Sequence, residues 1–561
     1  MAHHTSLAPH EPLEPKFISV LREGYSWARL RIDLVAGITV AMVALPLSMA
    51  IAKASGTTPD RGLFTAVVGG FLISLLGGSR YQIGGPAGAF IVLVSLTLDR
   101  HGLDGLLLAV LLSGLFMLAL GFLRLGAIIK YIPHPVTVGF TSGIAVIIFS
   151  SQIVDLFGLE LGQKEPAALL PKLMLISHSL ATMNLAPMIV SAFSIALILL
   201  LRHFRPHWPG LLITIVLSGI LGTILIRSGM SLETIGSKFG GIPNMLPEPR
   251  WPVFEQSRIM SVMPDAIAFT LLGSIESLLS AVVADSMSGR RHRSNIELIA
   301  QGVGNIGSAL FGGICVTGTI ARTATNVRAG ATSPISGMIH SVVLLVLMVV
   351  AAPLASYIPL SALAAVLAVV SWNMAEKKEF AAILRHSPED SLVVLATFGL
   401  TIFRDLTEGI LVGVALGSLF FIRRMAHQMA VDNHMKIPDE WDLPADVLKD
   451  DRIAVARLNG SFFFGTAADV TSVLEGIGRD PQVLIVDFGA VSLCDGSAAH
   501  AFASMAKRLH GSGTTILLSG LRPDVGHVLE QIGLTDPVVH CVPDMKAALS
   551  QASAHLLSLI H

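Results

Sequence analysis

The sequence predicts an α-helical polytopic membrane protein with a small α/β domain after its last span. Three observations predict it. The 561 residues are 52% apolar and 14% charged, with a mean hydropathy of +0.70. Such values belong to membrane proteins with many spans. Roughly twelve apolar runs come near the length of about 20 residues that crosses a bilayer. Two glycine-rich breaks interrupt these runs at matching places in two halves of the chain.

The N-terminal stretch 1–30 is polar and Pro-rich around Pro12 and Pro15, and lacks a cleavable signal. His3 and His4 read as a solvated tail rather than a metal pair. The apolar runs are 34–54, 62–77, 104–123, 127–151, 186–201, 210–227, 265–286, 296–311, 335–355, 360–372, 391–404 and 408–424. Two shorter pieces, 86–98 and 319–327, follow the breaks and are too short to span alone. They read as half-helices preceded by extended chain. Counting them gives two halves of about seven segments, 31–227 and 265–427. An odd number per half makes the halves inverted. Arg29, Arg124, Lys130, Arg202, Arg290 and Lys377 then fall on one face, which the positive-inside rule makes cytoplasmic together with both termini.

The first break is Gly77-Gly78-Ser79-Arg80-Tyr81-Gln82-Ile83-Gly84-Gly85-Pro86-Ala87-Gly88-Ala89-Phe90. The second is Gly312-Gly313-Ile314-Cys315-Val316-Thr317-Gly318-Thr319-Ile320-Ala321-Arg322-Thr323. A shift of 235 residues superposes them and also lays Leu298 on Leu63, Gly304 on Gly69 and Leu310 on Leu75. Paired interruptions of this kind point to a transporter's midplane binding site.

A helix N-terminus carries unpaired N–H groups and about half a positive charge. Two such ends converging make a site for a small anion. The candidate contacts are Gly85, Pro86, Ala87, Gly88 and Ala89 on one side and Thr319, Ile320, Ala321 and Arg322 on the other. Pro86 suits a first helical position. Thr317 and Thr319 offer hydroxyls. The competing reading is tight packing of small residues. Arg322, in the first turn of the second half-helix, reinforces anion binding or is pinned to backbone carbonyls.

Glu276 lies mid-span on a face shared with Gly273, Ser277 and Ser280. A carboxylate out of water favours its neutral form, so Glu276 is the candidate for proton coupling. Coordination of Na⁺ and a salt bridge to Arg322 are the alternatives. Asp285 lies close to Arg290-Arg291-His292-Arg293 and reads as an interfacial ion pair. His134, beside Tyr131 and Pro133, reads as a wet interfacial histidine.

After Arg424, the stretch 428–450 contains Pro438 and Pro444 and reads as a linker. Strand-like runs Ile453–Leu458, Ser461–Phe464, Val483–Phe488 and Thr514–Ser519 then alternate with helical stretches. That pattern over 451–561 is a small cytoplasmic α/β domain. The near-neutral charge does not suggest nucleic acid. Cys315, Cys494 and Cys541 are too scattered for a zinc site. No phosphate loop or hydrolase motif appears, so no cofactor and no enzyme activity are expected.

The residues Asp33–Val40 with Leu45-Pro46, Gly62–Ala66, Gly77–Arg80, Gly85-Pro86, Gly139–Gly143, Glu276–Leu279, Gln301–Asn305 and Ala321–Ala324 together resemble the SulP (sulfate permease) family with a C-terminal STAS domain. The resemblance implies 14 segments in a 7+7 inverted repeat, divided into core and gate, working as a homodimer by an elevator or rocking motion. It places anion binding between the third and tenth segments, and cation coupling at the acidic residue of the eighth, here Glu276. Relatives often carry Gln where this chain has Leu47, which implies a more apolar pocket. The chain is similar to a bacterial inner-membrane branch that carries C4-dicarboxylates; other members carry sulfate or bicarbonate, some with Na⁺. In soluble STAS relatives a Ser is phosphorylated where this chain has Ser497, after Cys494-Asp495-Gly496. Ser497 reads first as a helix cap, then as a regulatory phosphosite. A cytoplasmic partner for the STAS domain follows from the same resemblance.

Overall fold

The computed structural model describes residues 12–126, 132–163, 165–166, 169–205, 208–404, 406–427, 430–432, 452–477 and 481–558. The readings on His3, His4, Lys130, Tyr131, Pro438 and Pro444 lie outside these residues. The chain divides into two compact units, Met1–Val414 and Ala415–His561.

Helices α1 (Lys16–Arg22), α2 (Trp27–Ala54), α3 (Pro59–Phe64) and α4 (Gly70–Leu76) open the first unit, with a π-helical turn at Thr65–Gly69 joining α3 to α4. Pro59 starts α3 at the position where its missing N–H costs nothing. The chain then leaves helical geometry at Gly77, and strand β1 is Gly84–Gly85. A 3₁₀ turn at Gly88–Phe90 leads into α5 (Ile91–Phe122). Gly102, at φ 67° and ψ −173°, breaks α5 into two pieces, a backbone geometry open mainly to glycine. The break separates the short segment after the first interruption from the next span, as the apolar runs 86–98 and 104–123 predict.

Helices α6 (His134–Phe157), α7 (Leu169–His178), α8 (Leu185–Phe204), α9 (Gly210–Arg227), α10 (Ile235–Phe239), α11 (Gln256–Ser288) and α12 (Ser294–Leu310) follow. Strand β2 is Thr317–Gly318, and α13 (Ile320–Arg328), α14 (Ile335–Ala355), α15 (Leu360–Met374), α16 (Lys377–His386), α17 (Pro388–Phe403) and α18 (Leu406–His427) complete the spans. Among the described residues nine helical runs are long and apolar enough to cross a membrane unaided. With the divided α5 counted as two, and the shorter α12, α13, α15 and α17 added, there are fourteen segments in two sets of seven.

These segments form two groups. α5 packs on α11 and α12, and α2 on α3, α13 and α14. α6 packs on α15 and α17, and α8 on α9 and α15. Both groups are built from equivalent members of the two repeats, as core and gate. Asp33 and Asp265, near the starts of α2 and α11, show the inversion. Asp33 accepts hydrogen bonds from the Thr332 and Ser333 amides, in the turn between α13 and α14. Asp265 pairs with His101 at 3.1 Å, in the turn that divides α5. Each carboxylate fastens the turn after the other repeat's half-helix.

Asp285 finds its partner within Arg290-Arg291-His292-Arg293, and that partner is His292. Asp285 Oδ2 accepts from the backbone N–H of His292 at 2.9 Å and lies 2.7 Å from His292 Nδ1. The α11 helix ends at Gly289 with φ 69°, which turns the chain back so that His292 arrives first.

The C-terminal unit is a five-stranded sheet in the order β3-β4-β5-β6-β7, with β3 (Ala430–Asp432), β4 (Ile453–Phe462), β5 (Val483–Cys494), β6 (Thr515–Ser519) and β7 (His540–Val542). Among the described residues of this sheet, only the β3 pairing is antiparallel. Helices α19 (Ala467–Ile477), α20 (Gly496–Gly511), α21 (Pro523–Gln531) and α22 (Met545–Ser558) connect and cover it. The runs expected as two strands at Ile453–Leu458 and Ser461–Phe464 form one strand to Phe462. Irregular register with β5 at Asn459–Ser461 absorbs the polar residues between them. Phe462, Phe488 and Phe502 meet edge to face at centroid distances of 5.3–6.5 Å and fill the core.

Candidate functional site

The two interruptions pair with each other. β1 and β2 run antiparallel, with Gly84 opposite Gly318 and Gly85 opposite Thr317. The half-helix of α5 and helix α13 start just beyond this ladder. Their first N–H groups have no intrahelical acceptor. Ile320 is 37% exposed and Ala321 is also exposed, whereas Ala87 and Ala89 are each 3% exposed. Gly88 is half-buried, and Ile148 of α6 and Met374 of α15 face it. The helix ends therefore lie where the two helix groups meet.

Arg322 is fully buried. Its Nη2 donates to the carbonyl oxygen of Pro86 at 3.2 Å, while Nε and Nη1 have no hydrogen-bond partner. A Cβ on Gly85 would sit 2.0 Å from Nη1, so only glycine admits the guanidinium there. On the other strand Gly318 is covered likewise by Gln82, which donates to the Ser277 carbonyl at 3.0 Å. The carbonyl pinning and the unpaired nitrogens coexist in Arg322. It braces the ladder and keeps two donors in reserve.

Pro86 does not occupy the first helical position. It lies two residues before the 3₁₀ turn, whose N-cap is Ala87 at φ −117° and ψ 147°. Its carbonyl is taken by Arg322. The threonine hydroxyls are also committed within the protein. Thr317 Oγ1 lies 2.5 Å from Ser277 Oγ and donates to the Gly273 carbonyl at 3.2 Å. Thr319 Oγ1 donates to the Ile83 carbonyl at 3.4 Å. The expected hydroxyl donors thus hold β2 to α11 and to the first break, and Arg322 with the helix amides is left as the donor set.

Gly273, Ser277 and Ser280 share a face of α11 that packs against β2 and α13. Ser277 accepts from the Gly318 amide at 3.1 Å and Ser280 donates to Thr323 Oγ1 at 3.1 Å. Glu276 has one carboxylate oxygen, Oε2, buried without a hydrogen-bond partner. It interacts electrostatically with Arg322, yet no ion pair within 4.0 Å joins them. The salt bridge considered from the sequence is absent, and Glu276 retains a free oxygen. His340 of α14, fully buried with both ring nitrogens unpartnered, also feels the Arg322 charge. Nothing in the sequence around His340 distinguishes it from a spacer in an apolar helix. Leu47 is buried and belongs to the large apolar core that also contains Ala87, Ala89 and Phe90.

The breaks are clasped by residues of both repeats. Glu297 of α12, fully buried, accepts from the amides of Gly78 at 2.8 Å and Ser79 at 3.0 Å. Thr65 accepts from the Ile314 amide at 2.7 Å, and Arg61 donates to the Gly312 carbonyl at 2.5 Å. Asn305 grips both the N–H and the carbonyl of Val316, at 3.0 and 2.8 Å. These residues fix the extended chain so that the helix ends stay in register. Sequence reading missed Glu297, because an acidic residue in a first turn is an ordinary helix feature.

Ser497 is not the cap of α20. Asp495 is, accepting from the Ala498 amide at 2.8 Å, and its other oxygen accepts from the Phe464 amide at 2.9 Å. Ser497 is the second residue of the helix and exposed. Among the described residues no group of three His, Cys, Asp or Glu side chains is placed to hold a metal ion.

Two family patterns match the chain: the sulfate permease family over residues 30–397 and the STAS domain over residues 444–549. YvdB of Bacillus subtilis, provisionally named as a sulfate transporter, is 39% identical over 516 residues, 91% of this chain and 95% of that protein. The bicarbonate transporter BicA of Synechocystis is 28% identical over 543 residues, 93% and 94% of the two chains. Among solved structures, murine Slc26a9, an anion transporter captured in its inward-facing state, superposes with a TM-score of 0.84 at 19% identity, over 97% of this chain and 94% of that one. The transmembrane domain of a cyanobacterial BicA gives 0.62 at 30% identity, over 69% and 98%.

Proposed function

Because the chain belongs to the sulfate permease family and is an anion transporter of that family, we propose that it is a proton-coupled symporter of a small anion in the bacterial plasma membrane. The anion binds between the helix ends at Gly85–Ala89 and Thr319–Arg322. The observation that carries this reading is the fully buried Arg322 with two unpartnered nitrogens beside the two helix N-termini. A buried cation with spare donors in a membrane protein calls for an anionic partner. The amides of Gly88, Ala89, Ile320 and Ala321 add the helix-end field.

Glu276 takes up the proton. Its unpartnered Oε2 faces no fixed cation at contact distance, so the acid form costs it no ion pair. Anion and proton together present less net charge to the bilayer than the anion alone. The core, bearing both, then shifts against α6 and α15 by alternating access. The even number of segments and the basic loops support cytoplasmic termini. A homodimer, a transport domain at 31–427, a linker at 428–450 and a STAS domain at 451–561 with Ser497 as a regulatory site complete the proposal.

Leu47, apolar where relatives often carry Gln, supports a carboxylate with a carbon chain over a fully hydrated oxyanion, hence a C4-dicarboxylate before sulfate. A second reading is Na⁺-coupled bicarbonate uptake, favoured by the likeness to BicA along nearly the whole chain. Uptake into proteoliposomes under an imposed pH gradient or an imposed Na⁺ gradient separates them. Labelled succinate, fumarate, sulfate and bicarbonate are the probes. Accumulation driven by the proton gradient supports the symporter, and accumulation driven only by Na⁺ supports the second reading. Conductance without accumulation would replace both with a channel.

A further inference from the structure

A polar cavity of about 340 Å³ lies apart from the candidate site but close to it along α5. Ile91 and Val92, three and four residues after Gly88, line it, together with Lys53 at the end of α2, Gln152 and Asp155 at the end of α6, and Lys172 of α7. The Lys53 and Lys172 side chains are 16% and 6% exposed. Lys53 forms an ion pair with Asp155. Lys172 pairs with Glu165 at 2.9 Å and donates to Ser151 Oγ at 2.7 Å. Asp99 also borders the space. Gln152, 1% exposed, has an Oε1 without a hydrogen-bond partner.

The cavity lies between the two helix groups. Lys53 and Ile91 belong to the core, and Asp155 and Gln152 to the gate. When the core shifts, Lys53 must part from Asp155, and a nearly buried ammonium is left without a counter-charge. Such a charge is costly unless another anion replaces the lost one. A lysine suits this exchange: its ammonium is a point charge on a flexible stem and needs no fixed fork geometry. The volume is within the range of small-ligand sites.

Resting on the transport reading above, we propose that this cavity is a second anion site on the non-cytoplasmic side of the pathway. In it Lys53 exchanges Asp155 for an anionic group of the arriving substrate. Lys172 supplies a second cation, so a substrate with two separated anionic groups fits it best. Asp155 is a stand-in for substrate, held in place while the site is empty.

The test is the sidedness of half-saturation in right-side-out vesicles, with labelled succinate, sulfate and bicarbonate as probes. Lys53→Gln should raise the external half-saturating concentration about tenfold or more. Asp155→Asn should lower it, because the competing carboxylate is gone. Both substitutions break the same ion pair, so a pair that merely latches the two groups together predicts changes in one direction. Opposite changes support the anion site; changes in the same direction, or none, overturn it. The internal half-saturating concentration for efflux should move less than about twofold in both, and an equal shift on both faces also overturns the inference. Lys53→Arg, which keeps the charge, should stay near wild type and so controls for folding. If the wild type carries none of the three probes, the transport reading itself has failed.

Discussion

Arg322 reaches across 236 residues of sequence to donate its Nη2 hydrogen to the carbonyl oxygen of Pro86, tying the start of one half-helix to the approach of the other. Because the guanidinium fills the space where Gly85 lacks a side chain, the identity of one residue fixes the other. Arg322→Gln removes the buried charge and should weaken anion affinity by about 10- to 100-fold, the worth of a charge-assisted hydrogen bond. Gly85→Ala should do the same by displacing the guanidinium. In the double variant the second change should add little, since both act through one group. Binding of the transported anion by titration calorimetry, followed through this cycle, checks it; additive losses would contradict the shared mechanism.

The proposed proton role of Glu276 predicts that coupling and translocation can be separated. Glu276→Gln keeps the shape and the neutral hydrogen-bonding character of the protonated acid but cannot release a proton. Accumulation against a gradient should be lost, while exchange of labelled for unlabelled anion continues. Counterflow and proton-driven uptake, measured on the same vesicles, give the two readouts. Normal accumulation in this variant would remove Glu276 from the coupling role.

Glu297 holds the first break through two backbone amides. Glu297→Ala orphans the buried amides of Gly78 and Ser79, at about 1–3 kcal/mol for each. Glu297→Gln keeps an acceptor oxygen and should lose less. Thermal unfolding in detergent should rank wild type above Gln and Gln above Ala. Identical midpoints would mean the clasp is dispensable.

In the C-terminal unit burial, and then the charge of Asp495, push the Cys494 thiol up to about 11. A raised thiol stays protonated below that value, and the reactive thiolate appears only as the pH rises through it. The Cys541 thiol is also raised, by partial burial and then Asp536 and Glu530, but it is exposed, so maleimide at pH 8 should modify Cys541 well ahead of the buried Cys494. Asp495→Ala removes one of the two causes and also the cap of α20, which costs about 0.5–2 kcal/mol. Faster labelling of Cys494 in that variant, read by mass spectrometry of the intact chain, is the expected result.

The spans and the two interruptions were legible because apolar run length and glycine spacing are local properties. So was the convergence of Gly85 and Arg322, since repeat symmetry brings equivalent breaks together. What escaped was the allocation of hydrogen bonds. Thr317 and Thr319 look like ligand donors in a linear sequence, but Ser277 and Ile83 claim them first. Pro86 looks like a helix start, yet the start is displaced to Gly88. Glu297 and His340 draw their meaning from partners hundreds of residues away or from having none, and no spacing rule encodes that. In the C-terminal unit the short strands β3 and β7 carry too few residues to show a period, and the cap passed from Ser497 to Asp495 because the helix begins two residues earlier than its hydrophobic pattern suggests.

The Glu297 clasp has a consequence for biogenesis. Gly78 and Ser79 leave the ribosome long before their acceptor does; Ser79 precedes Glu297 by 218 residues. At a synthesis rate of about 5–20 residues per second the delay is roughly 10–40 s. Through that interval the first half-helix sits in or beside the bilayer with its extended approach unsealed. The N-terminal repeat thus completes the hydrogen bonding of its own break only when the second repeat supplies the closing carboxylate. Slowing or stalling translation between the repeats should expose the nascent first half to membrane quality control, although that half already contains every one of its own spans.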